Sequence, residues 1–218
     1  MAYTGDVAPG GPPDVRELPA LSITKVSVGP MDNNAYLLRC RGTGEQLLID
    51  AANEPTRLLA LAGDAGLATV VTTHRHRDHW VGLAEVRAAT GARHVAHPAD
   101  AGELPVPADP ARDGDTVRVG AVELAVIHLV GHTPGSIALL YRDDSPGGLP
   151  HLFTGDSLFP GGPGRTRSPR DFASLMADLE EKIFARLPDD TWFYPGHGRD
   201  STLGAERGAL PQWRARGW

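Results

Sequence analysis

Thr73-His74-Arg75-His76-Arg77-Asp78-His79 sets three imidazoles and a carboxylate close together, directly after the apolar run Leu67-Ala68-Thr69-Val70-Val71. Borderline and hard divalent metals take nitrogen and oxygen donors, and neutral His with ionised Asp supplies both. In an extended or looping chain His74, His76 and Asp78 point to one side and the intervening arginines to the other. His79 follows at the turn, where a second metal could sit. A solvated, charge-rich loop accounts for a lone His pair, but this density of donors reads as a metal site.

Three further segments repeat the layout, an apolar run ending in Gly and then a ligand-type residue. Leu124-Ala125-Val126-Ile127-His128-Leu129-Val130 runs into Gly131-His132-Thr133-Pro134-Gly135, Leu152-Phe153-Thr154 into Gly155-Asp156-Ser157, and Trp192-Phe193-Tyr194-Pro195 into Gly196-His197-Gly198. Buried strands deliver functional groups at their ends, where side chains converge on one crevice. A glycine beside each ligand permits a tight turn and a close backbone approach. Each segment alone is equally well a turn with a satisfied polar residue; four in this order point to one site.

On these motifs the chain resembles the metallo-β-lactamase-fold superfamily, and within it the glyoxalase II-like (hydroxyacylglutathione hydrolase-like) metallohydrolases. The resemblance runs from Ile49-Asp50 to Pro195-Gly196-His197-Gly198. It implies that His74, His76 and His132 hold a first metal, that Asp78, His79 and His197 hold a second, and that Asp156 bridges them. It implies two divalent ions, zinc or else iron or a zinc/iron mixture. Asp50 matches the family's early aspartate and would orient a ligating imidazole from outside the ligand set; a strand-end Asp capping a turn reads equally well.

The fold expected is α/β (α+β), an αββα sandwich of two mixed sheets flanked by helices. Strands are predicted at 22–28, 35–39, 46–49, 67–73, 93–96, 116–119, 122–130, 137–141 and 151–153. Helices are predicted over 54–62, 80–90 and 171–186, the last with Phe172, Leu175, Met176, Leu179 and Ile183 at helical spacing. Residues 1–19, rich in Pro and Gly, read as an extended or mobile lead-in to a single catalytic domain over 20–218. His94, His97, His128 and His151 have no donor cluster around them and are assigned to packing or solvent.

Composition narrows the function classes. The 218 residues are 41% hydrophobic and 22% charged, as in an ordinary globular protein. A net charge of −6 argues against nucleic acid drawn by bulk attraction. Cys40, alone in the sequence, excludes an internal disulfide and a cysteine-bound zinc ribbon. No apolar run reaches membrane-spanning length and the start lacks a leader pattern, so a cytoplasmic enzyme with no membrane or nucleic-acid partner is expected.

The chemistry implied is hydrolysis by a metal-bridging hydroxide, with Asp78 holding the nucleophile by hydrogen bond. A thioester suits such a site because a thiolate leaves without a protein general acid. The substrate expected is a small acyl-thiol, with Arg165 and Arg167 (and Arg170) toward an acidic tail. Only about twenty residues follow Gly198, so the helical region that binds glutathione in glyoxalase II is largely missing; a different carrier such as mycothiol is favoured. Two alternatives stand: a persulfide dioxygenase with one Fe(II) on His74, His132 and Asp156, and a lactonase using the same hydroxide.

Overall fold

Strands alternate in burial where one face meets a core, and are buried throughout where both faces are covered; both patterns occur here. In the computed structural model, which describes residues 3–217, the first sheet is β1 (Asp14–Glu17), β2 (Leu21–Val28), β3 (Asn33–Cys40), β4 (Gln46–Ile49), β5 (Thr69–Val71), β6 (Arg93–Ala96) and β7 (Asp109–Pro110), in that spatial order. Neighbours from β1 to β4 are antiparallel and those from β4 to β7 parallel. The central β4 and β5 are buried along their whole length.

The second sheet contains β8 (Thr116–Val119), β9 (Val122–His128), β10 (Ile137–Arg142) and β11 (Pro150–Gly155), and a short ribbon of β12 (Leu158–Phe159) and β13 (Gly162–Pro163) follows. β14 (Trp192–Pro195) returns parallel to β11, and β15 (Ser201–Thr202) closes the order β15-β14-β11-β10-β9-β8. In β8 and the first half of β9, Val117, Val119, Val122, Leu124 and Val126 face inward while Arg118 and Glu123 face solvent.

The chain connects these strands through α1 (Pro55–Ala62), α2 (Leu83–Thr90), α3 (Pro98–Ala101) and α4 (Pro169–Asp178), and continues past β15 as α5 (Leu203–Arg207) and α6 (Leu210–Arg216). Three apolar layers result. Ile23, Leu38, Leu47 and Ile49 meet Leu124, Val126, Leu139 and Phe153 between the sheets. Leu58, Ala62, Leu83 and Val86 cover the outer face of the first sheet. Leu175, Met176, Leu179, Ile183 and Trp213 cover the second. This is the expected αββα sandwich. Among the described residues no helix is long and apolar enough to cross a membrane.

Local differences from the expectations have physical causes. The lead-in expected over 1–19 contributes a paired edge strand, with Asp14 opposite Lys25 and Glu17 opposite Ser22. The helix expected from residue 80 begins at Leu83, because Arg77–His79 close a 3₁₀ turn first. The helix expected over 171–186 starts earlier, at Pro169, because the Ser168 side chain caps it by accepting from the Asp171 N–H. It then widens into a π turn over Leu179–Phe184, which keeps Leu179, Ile183 and Phe184 all buried.

Candidate metal centre

The four motif segments all follow the C-terminal ends of strands: residues 73–79 follow β5, His132 follows β9, Asp156 follows β11 and His197 follows β14. The sandwich brings these ends together. His74, His76 and His132 form one three-donor group, Asp78, His79 and His197 another, and Asp156 shares a third with His74 and His79; within each, donor atoms lie within 4.8 Å of one another.

Hydrogen bonds at the far ring nitrogens aim the imidazoles. Thr73 donates its hydroxyl to Asp50 Oδ2 at 2.8 Å, so its oxygen accepts from His74 Nδ1 at 3.0 Å. His79 Nδ1 donates to Asp50 Oδ2 at 2.8 Å, His132 Nδ1 to the Arg165 carbonyl at 2.7 Å, and His197 Nδ1 to the Met31 carbonyl at 2.9 Å. A neutral imidazole carries one N–H, so these partners leave the Nε2 lone pairs of all four rings facing inward. His76 is turned the other way, with Nδ1 2.9 Å from His132 Nε2.

Those lone pairs need something positive between them. His79 Nε2 and His197 Nε2 are 3.2 Å apart, and Asp78 Oδ2 lies 3.5 Å from the first and 3.3 Å from the second. Donors about 2.1 Å from a tetrahedral ion sit roughly 3.4 Å from each other, so this triangle has the size of a metal site. Asp156 Oδ2 is 3.6 Å from His132 Nε2 and 3.5 Å from His197 Nε2, which sets it between the groups. His74 Nε2 and Asp156 Oδ1 are buried with no hydrogen-bond partner. Buried orphans of this kind are rare, and two of them facing one centre fit an ion's place.

The electrostatics divide the cluster. Burial, reinforced by His79, holds His74 well below the ordinary imidazole value. Burial likewise lowers His76 and His132, so this group is neutral and ligand-ready. At His79 burial is outweighed by Asp156 and Asp50, which raise it well above the usual value. At His197 burial is outweighed by Asp156 and Asp78, which raise it to about 10. Burial would raise both carboxylates, but His197 and His79 keep Asp78 below the usual range, and the same imidazoles with His74 keep Asp156 well below it. The second group therefore holds a cation-seeking charge: a proton in the bare chain, a metal when one is present.

Supporting residues come from across the fold. Asp50 also accepts from the Thr73 N–H at 2.8 Å. Asp100, absent from the sequence expectations, is buried and accepts from the Arg75 N–H at 3.0 Å, the Thr133 hydroxyl at 2.5 Å and the Gly135 N–H at 2.9 Å. It ties the His76 loop to the His132 loop. Asn33, equally unforeseen, donates to Asp78 Oδ2 at 2.8 Å. Only its place at the start of the apolar strand 33–40 hinted at burial. A Cβ on Gly196 would run into the Asp156 carboxylate and the His79 ring, so the His197 loop closes only with glycine there.

Arg165 and Arg167 are exposed and, with Thr166, line a 440 Å³ cleft against His76 and His132. Thr166 is buried and its hydroxyl has no partner. Arg167 and Arg170 also border an adjoining 370 Å³ hollow with Arg75 and His132. A larger hollow of 520 Å³, edged by Pro19, Glu123 and Tyr141, contains none of the seven donors. The remaining histidines lie elsewhere: His94 contacts the Thr72 hydroxyl, His97 stacks on His128, and His151 contacts the Tyr194 hydroxyl.

Comparison with known proteins identifies the family. Residues 28–197 match the Metallo-beta-lactamase superfamily. The chain is 40% identical over 167 residues to a hydroxyacylglutathione hydrolase of Polaromonas sp. strain JS666, covering 76% of this chain and 62% of that one. It thus spans less than two thirds of the length of this relative. Among solved structures, ETHE1 from Myxococcus xanthus superposes with a TM-score of 0.76 at 28% identity, over 88% of this chain and 84% of that one. TTHA1623 in a di-iron-bound form gives a TM-score of 0.68 at 33% identity, over 84% and 96%.

Proposed function

This chain belongs to the metallo-beta-lactamase superfamily, and from that premise we propose that it is a two-metal hydrolase cleaving S-acyl conjugates of a low-molecular-weight thiol. The observation that carries this reading is the donor arrangement, with His74, His76 and His132 on one side, Asp78, His79 and His197 on the other, and Asp156 between them. The relative named hydroxyacylglutathione hydrolase supports the substrate class. Divalent cations held there, zinc or iron or a mixture, would lower the pKa of a bound water toward neutrality and polarise a carbonyl.

The chain's own residues supply the rest. Asp78 stays ionised through the physiological range, because His197 and His79 outweigh its burial, and can accept a hydrogen bond from the attacking water. Asp50 holds His79 in the tautomer that turns Nε2 inward. Arg165 and Arg167 line the cleft and offer charge to an anionic tail. A thiolate leaving group needs no proton from the protein. Low-molecular-weight thiols stay reduced in the cytoplasm, which is where we place this chemistry.

The competing reading is one iron acting with O₂ on a persulfide, and it draws on a subset of the same donors. His132 Nε2 lies 3.6 Å and His74 Nε2 4.0 Å from Asp156 Oδ2. Elemental analysis of protein purified without added metal separates the two, followed by assays of thiol release from an acyl-thiol panel and of oxygen uptake with a persulfide. Two metals per chain with thiol release is the result expected. One iron per chain with oxygen uptake would replace the hydrolase with the oxygenase.

A further inference from the structure

Lys25 lies within β2, its side chain fully buried, and it is not among the seven donors. A buried ammonium is costly unless all three of its hydrogens are bonded, and here they are. Nζ donates to the Gly198 carbonyl at 2.7 Å, to the Gly5 carbonyl at 2.7 Å and to Asp200 Oδ1 at 2.6 Å. Asp200 is equally buried, and its other oxygen accepts from the Tyr3 hydroxyl at 2.7 Å and from Trp192 Nε1 at 3.0 Å. The ion pair is satisfied on every side, and its partners lie up to 175 positions away.

Three of those partners, Gly198, Gly5 and Tyr3, bear on the metal centre. Gly198 follows His197, and its carbonyl also accepts from Asn34 Nδ2 at 2.9 Å. The loop is further pinned on its β3 side, with the Asn34 N–H on the Gly196 carbonyl at 2.7 Å and Asn34 Nδ2 on the Pro195 carbonyl at 2.9 Å. Lys25 adds the anchor from β2. Tyr3 and Gly5 bring the N-terminal segment into the same clamp, where a Cβ on Gly5 would collide with Asp200.

We propose that Lys25 is a positioning residue for His197, its ammonium fixing the Gly196–Gly198 loop and, through Asp200 and Gly5, making the N-terminal segment part of the support of the second metal group. The metal arm of this inference rests on the two-metal reading above. No proton or electron moves in it; the ammonium acts by holding a carbonyl.

The test is a titration of metal-free, full-length protein with Zn²⁺ against a chromogenic chelator, comparing the wild type with Lys25→Met/Asp200→Asn, which removes the ion pair without stranding a charge. The second equivalent should bind roughly 10- to 100-fold more weakly, the usual effect of losing a group that supports a ligand, with the first unchanged. Unchanged binding at both equivalents, or equal weakening of both, overturns the proposal. If the double variant does not fold, Tyr3→Phe removes one hydrogen bond from Asp200 and keeps both charges; an unchanged second equivalent then overturns it. Should the wild type take up only one equivalent, the two-metal reading fails by itself. The clamp is then read from carbethoxylation of His197 in metal-free protein, followed by mass spectrometry. Faster modification in the variant supports the clamp, and an equal rate overturns it.

Discussion

Asp50 adopts φ +58°, a left-handed backbone that costs a non-glycine residue on the order of 1–2 kcal/mol. Three hydrogen bonds hold it there, from the Thr73 N–H, the Thr73 hydroxyl and His79 Nδ1. All three partners donate, so both carboxylate oxygens must accept. Asp50→Asn keeps the size, and Asn tolerates the left-handed region well, but its NH₂ must confront a donor. The expected outcome is a folded protein whose metal at the His79 group is bound roughly 10- to 100-fold more weakly, measured by dialysis against a competing chelator. Wild-type affinity in that variant would show that Asp50 merely shapes the turn. The aspartate itself was legible at the end of the apolar run 47–49; its three donors were not, because two of them come from a residue 23 positions away.

At the scale of elements, the loops carrying His132, Asp156 and His197 leave their strand ends through turns too tight for a side chain. Gly155 sits at φ +48° with Thr73 packed against it, and Gly196 approaches Asp156 and His79. Gly196→Ala should lower stability by about 1–3 kcal/mol through overpacking and displace Asp156 or His79. A drop in melting temperature together with loss of bound metal is the pair of readouts expected. A variant with unchanged melting and metal content would mean that the loop can shift to accept a methyl. Strand segments were read well from sequence where local alternation or continuous apolar character controls them, as in β4, β6 and β8. Helix ends were read less well. The start of α4 depends on the Ser168 cap, and its widening after Asp178 depends on which side chains the second sheet buries.

For the whole molecule, His151 connects packing to pH. It is 2% exposed, beside the Tyr194 hydroxyl, and burial pushes it down to about 4. In the unfolded chain the same imidazole titrates near its ordinary value of about 6.5. Below that value the unfolded state binds a proton that the folded state refuses, so stability falls as pH drops from about 6.5 toward 4 and is insensitive to this group above that window. The full contribution is about 3 kcal/mol. Denaturant unfolding of wild type and His151→Gln at pH 7 and pH 5 isolates it, because the ligand histidines are common to both. A pH-dependent loss of equal size in the two proteins would show that His151 does not carry the acid sensitivity.

Donor types, their spacing and their place at strand ends are written locally into the chain. Ligand-bearing side chains set beside buried apolar runs are too costly to be accidental, and that signal is local. Apolar runs and helical spacing likewise marked out individual strands and helices, while their assembly into two sheets with helices outside was implied by the family resemblance. The packed fold adds what the motifs left open: His76 turns Nδ1 inward while four other rings turn Nε2, and Asn33, Asp100 and Lys25 support them. It also decided that the Pro- and Gly-rich start forms an edge strand and reaches Asp200. Most of these contacts join residues far apart in sequence, Arg75 and Asp100 by 25 positions and Tyr3 and Asp200 by 197. Their energy resides in desolvated hydrogen bonds and charge pairs that exist only after the sheets pack, so no window of local sequence carries their pattern.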